Sequence, residues 1–330
     1  MSAIPSMQPT GWFQVAWSYD LEVGDVRPLH YFGTDLVVFR DLDGAIHVLD
    51  AQCQHLGANL SRGGCVVEGG IQCPFHGWVW SGEGRNVRIP YEERPNRARR
   101  VRSWPVTELN ECVYVWHDSQ RRDPLWPVPE AWRVLNDDIT SLTYRAIGSA
   151  ESQLFAGVKV HPQVIAENAV DPHHFRFVHK TPISPVVLTE STDGPVWHAK
   201  VGFGKRWAEG IDRPGDCRNT LEIYWSGIGI SFTGEQIADG VRVISINATP
   251  VDESTSDIFA TYWISDDGDD DGGVDERLRI AKLALPDDIA IWNYQVYMEK
   301  PALAPSEAAG YRQLRDWASS FYPEPVGVPG

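Results

Sequence analysis

The chain has 330 residues and a formal net charge of −16, which argues against polyphosphate partners and so against nucleic acid. Its 42% hydrophobic content supplies core for one large domain or two ordinary ones. Five cysteines, an odd number in a long chain, argue against a disulfide framework and suit a reducing compartment. Met1 to Gln14 shows no basic-then-apolar leader, and no apolar run approaches the roughly eighteen residues of a membrane span, so a cytoplasmic protein without a membrane span is expected.

In chain order, Trp12 to about Asp118 reads as short strands and tight turns. Leu36-Val37-Val38-Phe39 and Ala45-Ile46-His47-Val48-Leu49 flank Asp41-Leu42-Asp43-Gly44, the pattern of a hairpin. Val113-Tyr114-Val115-Trp116 is a further strand, and a small antiparallel β domain over 1–125 follows. Pro124, Pro127 and Pro129, with Trp126 and Trp132, mark a junction, and a second domain is expected over 126–330. There Leu221 to Phe232, Val241 to Ala248 and Ile258 to Ile264 read as strands. Ile165 to Val178 reads as largely helical. Asp275 to Met298 has helical spacing, with Pro286 at a break or in the first turn of a second piece. Strands followed by a long C-terminal helix give an α+β domain.

Two constellations carry chemistry. The first is Cys53-Gln54-His55-Leu56-Gly57 with Cys73-Pro74-Phe75-His76-Gly77: one thiolate and one imidazole on each of two loops. A tetrahedral zinc and a [2Fe–2S] cluster are the two readings. The cluster is favoured, because Gly57 and Gly77 let loop amides approach inorganic sulfide and zinc-finger cysteine spacing is absent. Cys65, Cys112 and Cys217 read as small buried residues.

The second is Asn168-Ala169-Val170-Asp171-Pro172-His173-His174-Phe175-Arg176-Phe177-Val178-His179. Two histidines and a carboxylate can hold one face of an iron and leave the other open. Asp171 and His174 are three apart and share a helix face, whereas His179 needs the helix to end before it. His173 is the rival of His174.

The two-loop motif resembles the Rieske signature. Ala58 and Phe75 stand where the respiratory type places its extra cysteines, so the likeness is to the lower-potential type that feeds oxygenases. Asp171, His174 and His179 resemble the Rieske non-haem iron oxygenase pattern Asp-x-x-His-x₄-His. The likeness runs from Gly11-Trp12 to about Tyr322. It includes Pro28-Leu29-His30-Tyr31-Phe32-Gly33, Ile89-Pro90-Tyr91, Arg315-Asp316-Trp317 and Phe321-Tyr322, which resemble the 3-ketosteroid 9α-hydroxylase branch, and it weakens after His179.

By that resemblance Cys53, His55, Cys73 and His76 bind the cluster, and His174 and His179 bind a mononuclear Fe(II). Asp288, in Asp288-Ile289-Ala290-Ile291-Trp292, is the third ligand with Asp287 its rival. Asp171 becomes an electron-transfer bridge to a cluster histidine of a neighbouring subunit, His76, and Asn168 a further catalytic candidate. The implied fold is an N-terminal all-β Rieske domain plus a C-terminal helix-grip domain, an antiparallel sheet covered by helices, in a ring-shaped homotrimer. The implied activity is monooxygenation of a hydrophobic, steroid-like substrate with O₂; the alternatives are desaturation, O-demethylation and ring dioxygenation. The chain shows no flavin or nicotinamide fingerprint, so electrons are expected from a separate NAD(P)H-dependent ferredoxin reductase or a ferredoxin.

Three features carry less. Arg94, Arg97, Arg99, Arg100 and Arg102 form a basic run: a dock for an acidic donor, a subunit interface or a solvated edge. Asp267 to Gly272 imitates a calcium loop, but Leu278 stands where a bidentate Glu belongs, so an acidic loop is expected. Trp197, Phe203, Trp207, Phe232 and Trp292 are core or pocket residues.

Overall fold

The structure, a computed structural model, describes residues 5–135, 144–181, 184–203, 219–237, 240–265 and 273–323. The chain forms two units, Phe13–Leu125 and a second that joins Trp126 onward to the residues up to Trp12. Two hydrogen bonds explain why the first residues group with the last. Thr10 N–H donates to the Phe321 carbonyl at 2.6 Å, and the Trp12 indole donates to the Trp126 carbonyl at 2.7 Å.

Short runs of β-branched and aromatic residues make the unit Phe13–Leu125 a β structure. Its strands are β1 (Gly11–Trp17), β2 (Val26–Tyr31), β3 (Thr34–Arg40), β4 (Ile46–Asp50), β5 (Cys65–Val67), β6 (Gly70–Gln72), β7 (Val79–Trp80), β8 (Asn86–Arg88), β9 (Ser103–Trp104), β10 (Val106–Leu109) and β11 (Cys112–His117). They pair as β1-β11-β10, β2-β3-β4-β9 and β5-β6-β7-β8. The turn between β3 and β4 is set by Asp41, whose Oδ1 accepts from the amides of Asp43 and Ala45 at 3.0 and 2.9 Å. The loop from β4 to β5 carries Cys53 and His55, and the tight loop from β6 to β7 carries Cys73 and His76. Val37, Phe39, Leu49, Ile71, Trp78 and Trp80 close a core around both cysteines.

The second unit is built on a seven-stranded sheet in the order β12-β18-β17-β16-β15-β14-β13, antiparallel throughout. Here β12 is Ser152–Val158, β13 Val186–Asp193, β14 Val196–Phe203, β15 Asn219–Ser226, β16 Ile230–Ile237, β17 Gly240–Pro250 and β18 Ser256–Ile264. The single strand expected over Leu221 to Phe232 is two strands of a hairpin. Its turn holds Gly227, with φ +55°, beside a fully buried Ile228, so an apolar run hides the reversal.

Five helices of this unit matter to function: α1 (Pro162–Glu167), α2 (Pro172–Phe177), α3 (Gly273–Ala281), α4 (Leu285–Trp292) and α5 (Ala308–Ser319). The helical stretch expected over Ile165 to Val178 is α1, a 3₁₀ turn at Asn168–Val170, and α2. Asp171 therefore caps a helix instead of sharing a face with His174. The helix expected over Asp275 to Met298 breaks into α3 and α4, with Pro286 in the first turn of α4, and ends at Trp292. Among the described residues no helix is long and apolar enough to cross a membrane.

Candidate metal centres

The two cysteine loops share one backbone design. Cys53 N–H donates to the Ala58 carbonyl and Gly57 N–H to the Cys53 carbonyl, both at 2.9 Å. Cys73 N–H donates to the Trp78 carbonyl at 2.8 Å and Gly77 N–H to the Cys73 carbonyl at 3.1 Å. Closing each loop needs a left-handed residue, supplied by Gly57 (φ +79°) and Gly77 (φ +72°). The His55 and His76 rings then meet edge to face with centroids 4.7 Å apart, and Trp78 stacks on His55 at 4.5 Å.

The Trp80 indole donates to Cys53 Sγ at 3.2 Å. Burial, with Cys73 adding to it, raises the Cys53 thiol pKa, so Cys53 needs a metal to hold it as a thiolate. His76 Nδ1 is buried without a hydrogen-bond partner, as a ligand atom would be. Among the described residues no three of these four side chains bring ligand atoms within 4.8 Å of one another, the spacing one ion would require. That favours a wider, two-iron group over zinc.

Gly77 lies closer to its surroundings than Gly57. A Cβ at 77 would come 2.8 Å from the Pro90 ring, whereas one at 57 meets nothing within 4 Å. Gly77→Ala is therefore expected to destabilise the unit by more than the roughly 1–2 kcal/mol of a left-handed alanine alone, and Gly57→Ala by about that amount. Urea unfolding midpoints of the two variants check the order.

The other constellation gathers in the second unit. Asp171 Oδ1 accepts from the amides of His173 and His174 at 3.0 and 3.2 Å, and Pro172 occupies the first turn. His174 Nδ1 donates to the Asp171 carbonyl, which can only accept, so Nε2 keeps its lone pair. Helix α2 ends at Phe177, with Val178 as its C-cap, so His179 lies just beyond the helix. This brings the His179 ring to 5.3 Å from that of His174.

Asp288, 8% exposed in the first turn of α4, completes the set. Its Oδ2 lies 3.4 Å from His179 Nε2, and ligand atoms of His174, His179 and Asp288 all lie within 4.8 Å of one another. Burial, then His174, lowers His179 to about 4; burial, then Asp287, raises Asp288 to about 7. The contact is thus not an ion pair at neutral pH. Two neutral imidazoles and an acid in a largely buried site are a donor set that a divalent cation would satisfy.

These residues open on an apolar cavity of about 400 Å³. One wall is the sheet, read in rows across the strands: Leu221–Glu235–Arg242, then Ile223–Thr233–Ile244–Tyr262. Asn168, Phe175 and Trp292 close other sides. Arg242 Nε donates to Glu235, an ion pair in an otherwise apolar wall that was not found from sequence. The one available signal was that Glu235 shares its strand face with Thr233.

Other expectations fare unevenly. Asp287 is exposed and stands outside the close-set trio, though it reaches the cavity. His173 Nδ1 lies 2.9 Å from Ser184 Oγ, away from the trio. Cys65 is exposed, contrary to the buried reading, because β5 is the edge strand of its sheet; Cys112 is buried. Arg94, Arg97, Arg99 and Arg100 are exposed, but Arg102 lies over the Trp104 ring at 4.0 Å and is half-buried, so it leaves the run. Trp197, Phe203 and Phe232 are core. Trp207, Cys217 and the acidic loop at 267–272 lie outside the described residues.

Residues 11–105 match the family model of the Rieske [2Fe-2S] domain, and residues 115–322 that of the 3-Ketosteroid 9alpha-hydroxylase C-terminal domain. The oxygenase component of 3-ketosteroid-9-alpha-monooxygenase from Rhodococcus rhodochrous is 30% identical over 96% of this chain and 86% of its own. Cholesterol 7-desaturase nvd from Xenopus laevis is 29% identical over 97% of this chain and 73% of its own. A dicamba monooxygenase bound to dicamba shares the fold, with a TM-score of 0.70 and 21% identity over 96% of this chain and 98% of that one. With a Rieske half, a hydroxylase half and a relative matched along nearly its whole length, the chain belongs to the Rieske oxygenases, as an oxidoreductase of the 3-ketosteroid 9α-hydroxylase branch.

Proposed function

We propose that the chain is the terminal oxygenase of a multicomponent monooxygenase that hydroxylates a hydrophobic, steroid-like substrate. Cys53, Cys73, His55 and His76 would hold the [2Fe–2S] cluster, and His174, His179 and Asp288 the mononuclear iron. The observation that carries the reading is the convergence of His174, His179 and Asp288 on an apolar cavity. When bound, the cluster supplies electrons singly and the lone iron activates dioxygen.

The rest falls to the protein. The sheet wall and Trp292 hold the apolar substrate and keep water out. The carbonyl of Asp171 fixes the His174 ring and its tautomer. The Asp171 carboxylate is the bridge toward His76 of a neighbouring protomer in a homotrimer. Each turnover consumes O₂, two electrons and two protons, placing one oxygen in a C–H bond and releasing the other as water. The electrons come from a separate NAD(P)H-dependent reductase or ferredoxin.

Iron and sulfide quantitation with EPR tests the metal assignment: about three irons and two sulfides per chain are expected. Zinc without visible absorption would overturn it. Product analysis under ¹⁸O₂ tests the reaction, with one labelled oxygen expected in the product. An unlabelled alkene would support desaturation instead, a second reading favoured by relatives named cholesterol 7-desaturase at 29% and 30% identity.

The Trp80–Cys53 bond gives a further expected outcome. A donor to a ligand sulfur stabilises the reduced cluster, so Trp80→Phe should lower its midpoint potential. A lost stabilisation of about 1.4 kcal/mol is about 60 mV for one electron, readable by spectroelectrochemical titration.

A further inference from the structure

We infer that Tyr311 is a positioning residue that holds the Asp171 carboxylate in place for electron transfer, an inference that rests on the bridging role proposed for Asp171. Helix α5 lies against the 3₁₀ turn Asn168–Val170 that presents Asp171. Gly310 makes the approach close: a Cβ there would stand 3.3 Å from Cβ of Val170. The next residue, Tyr311, then reaches past the turn, and its hydroxyl donates to Asp171 Oδ2 at 3.3 Å. One turn further along α5, Arg315 grips Glu167 at the end of α1 with two bonds of 2.8 and 3.0 Å, which fixes the helix in register with the turn.

The division of labour within Asp171 gives the tyrosine its importance. Oδ1 is committed to the amides of His173 and His174, and the main-chain carbonyl to the His174 ring. Oδ2 takes no part in those bonds and accepts from Tyr311. Bonds of 3.0 and 3.2 Å at Oδ1 alone leave the whole carboxylate room to librate about its terminal torsion, which is broad and soft. A second bond removes that freedom, and electron transfer through a hydrogen-bonded bridge requires the bridging oxygen to stay in line. Burial, then the carboxylates of Asp171 and Glu167, hold the phenol above its ordinary range, so the hydroxyl keeps its proton and donates.

The test compares wild type, Tyr311→Phe and Asp171→Asn as holoenzymes. Phe removes one oxygen and keeps the ring, so folding should survive. Reduced protein with substrate is mixed with O₂, and oxidation of the cluster is followed optically through a single turnover. Losing one bond to a carboxylate should slow that step about tenfold in Tyr311→Phe, with iron content, cluster EPR and substrate Kd unchanged. Amide exchange of the peptide spanning 168–180, read by mass spectrometry on the resting protein, should quicken at His173 and His174 while α5 stays protected. If Asp171→Asn is slow and Tyr311→Phe runs and exchanges like wild type, the inference falls and the bridge stands. If Asp171→Asn oxidises its cluster at the wild-type rate, the bridge falls and this inference with it. Loss of iron or of substrate affinity in Tyr311→Phe would mark the tyrosine as a mere prop and overturn the positioning role.

Discussion

His179→Ala should leave a chain that keeps its visible cluster spectrum, loses its mononuclear iron and falls more than about a thousandfold in turnover, since the metal supplies the step that activates O₂. The expectation follows from placement. His179 stands just beyond α2, His174 on α2 itself and Asp288 on α4, so removing one ligand leaves the other two in place but short of a trio. His174→Ala and Asp288→Ala should do the same, because each removes one of three ligand atoms that lie within 4.8 Å of one another. Metal analysis beside the cluster absorption separates the outcomes. A variant retaining full iron and turnover would remove the site from this cavity.

The second large effect is structural. Arg315→Leu should destabilise the second unit by roughly 3 kcal/mol, the low end of the range for breaking a buried ion pair, because Glu167 is buried but Arg315 only half so. The guanidinium bonds both oxygens of Glu167, donates to the carbonyls of Met298 and Glu299 at 2.8 and 3.1 Å, and lies over the Tyr297 ring at 4.7 Å. Glu167 is 7% exposed and also accepts from Gln163 at 3.1 Å. Leucine would strand that carboxylate in a dry interior. Replacing Glu167 with glutamine in the Arg315→Leu background should recover part of the loss, since a neutral amide is cheaper to bury. Chemical denaturation monitored at the tryptophans measures both.

The sequence disclosed most where chemistry is local. Cys53 with His55, and Cys73 with His76, fall within three residues of each other beside obligatory glycines, so each loop announces its own geometry. His174 and His179 were legible for the same reason, together with the helix end between them. Asp288 lies more than a hundred residues further on, and only resemblance singled it out from Asp287; the fold makes the physical distinction by burying one and exposing the other.

Helix α5 went unread. Its Ala-Ala-Gly opening and charged face make it polar on average, while Leu314, Trp317 and Ala318 bury a narrow stripe. With it went Tyr311. Cys65 reads as buried because residue type says nothing about whether a strand lies at an edge. The Arg242–Glu235 pair needs the β16–β17 register, which couples positions seven apart in sequence.

The cavity's sheet wall has an evolutionary consequence. Each inward side chain there belongs to a strand whose neighbours on either side point away, so exchanging one, such as Ile244 or Thr233, reshapes the cavity without disturbing the ladder or the His174–His179–Asp288 trio. Such a surface behaves like interchangeable tiles on a fixed frame. On such a frame, single codon changes can remodel the chamber while the residues that would hold the iron are inherited intact.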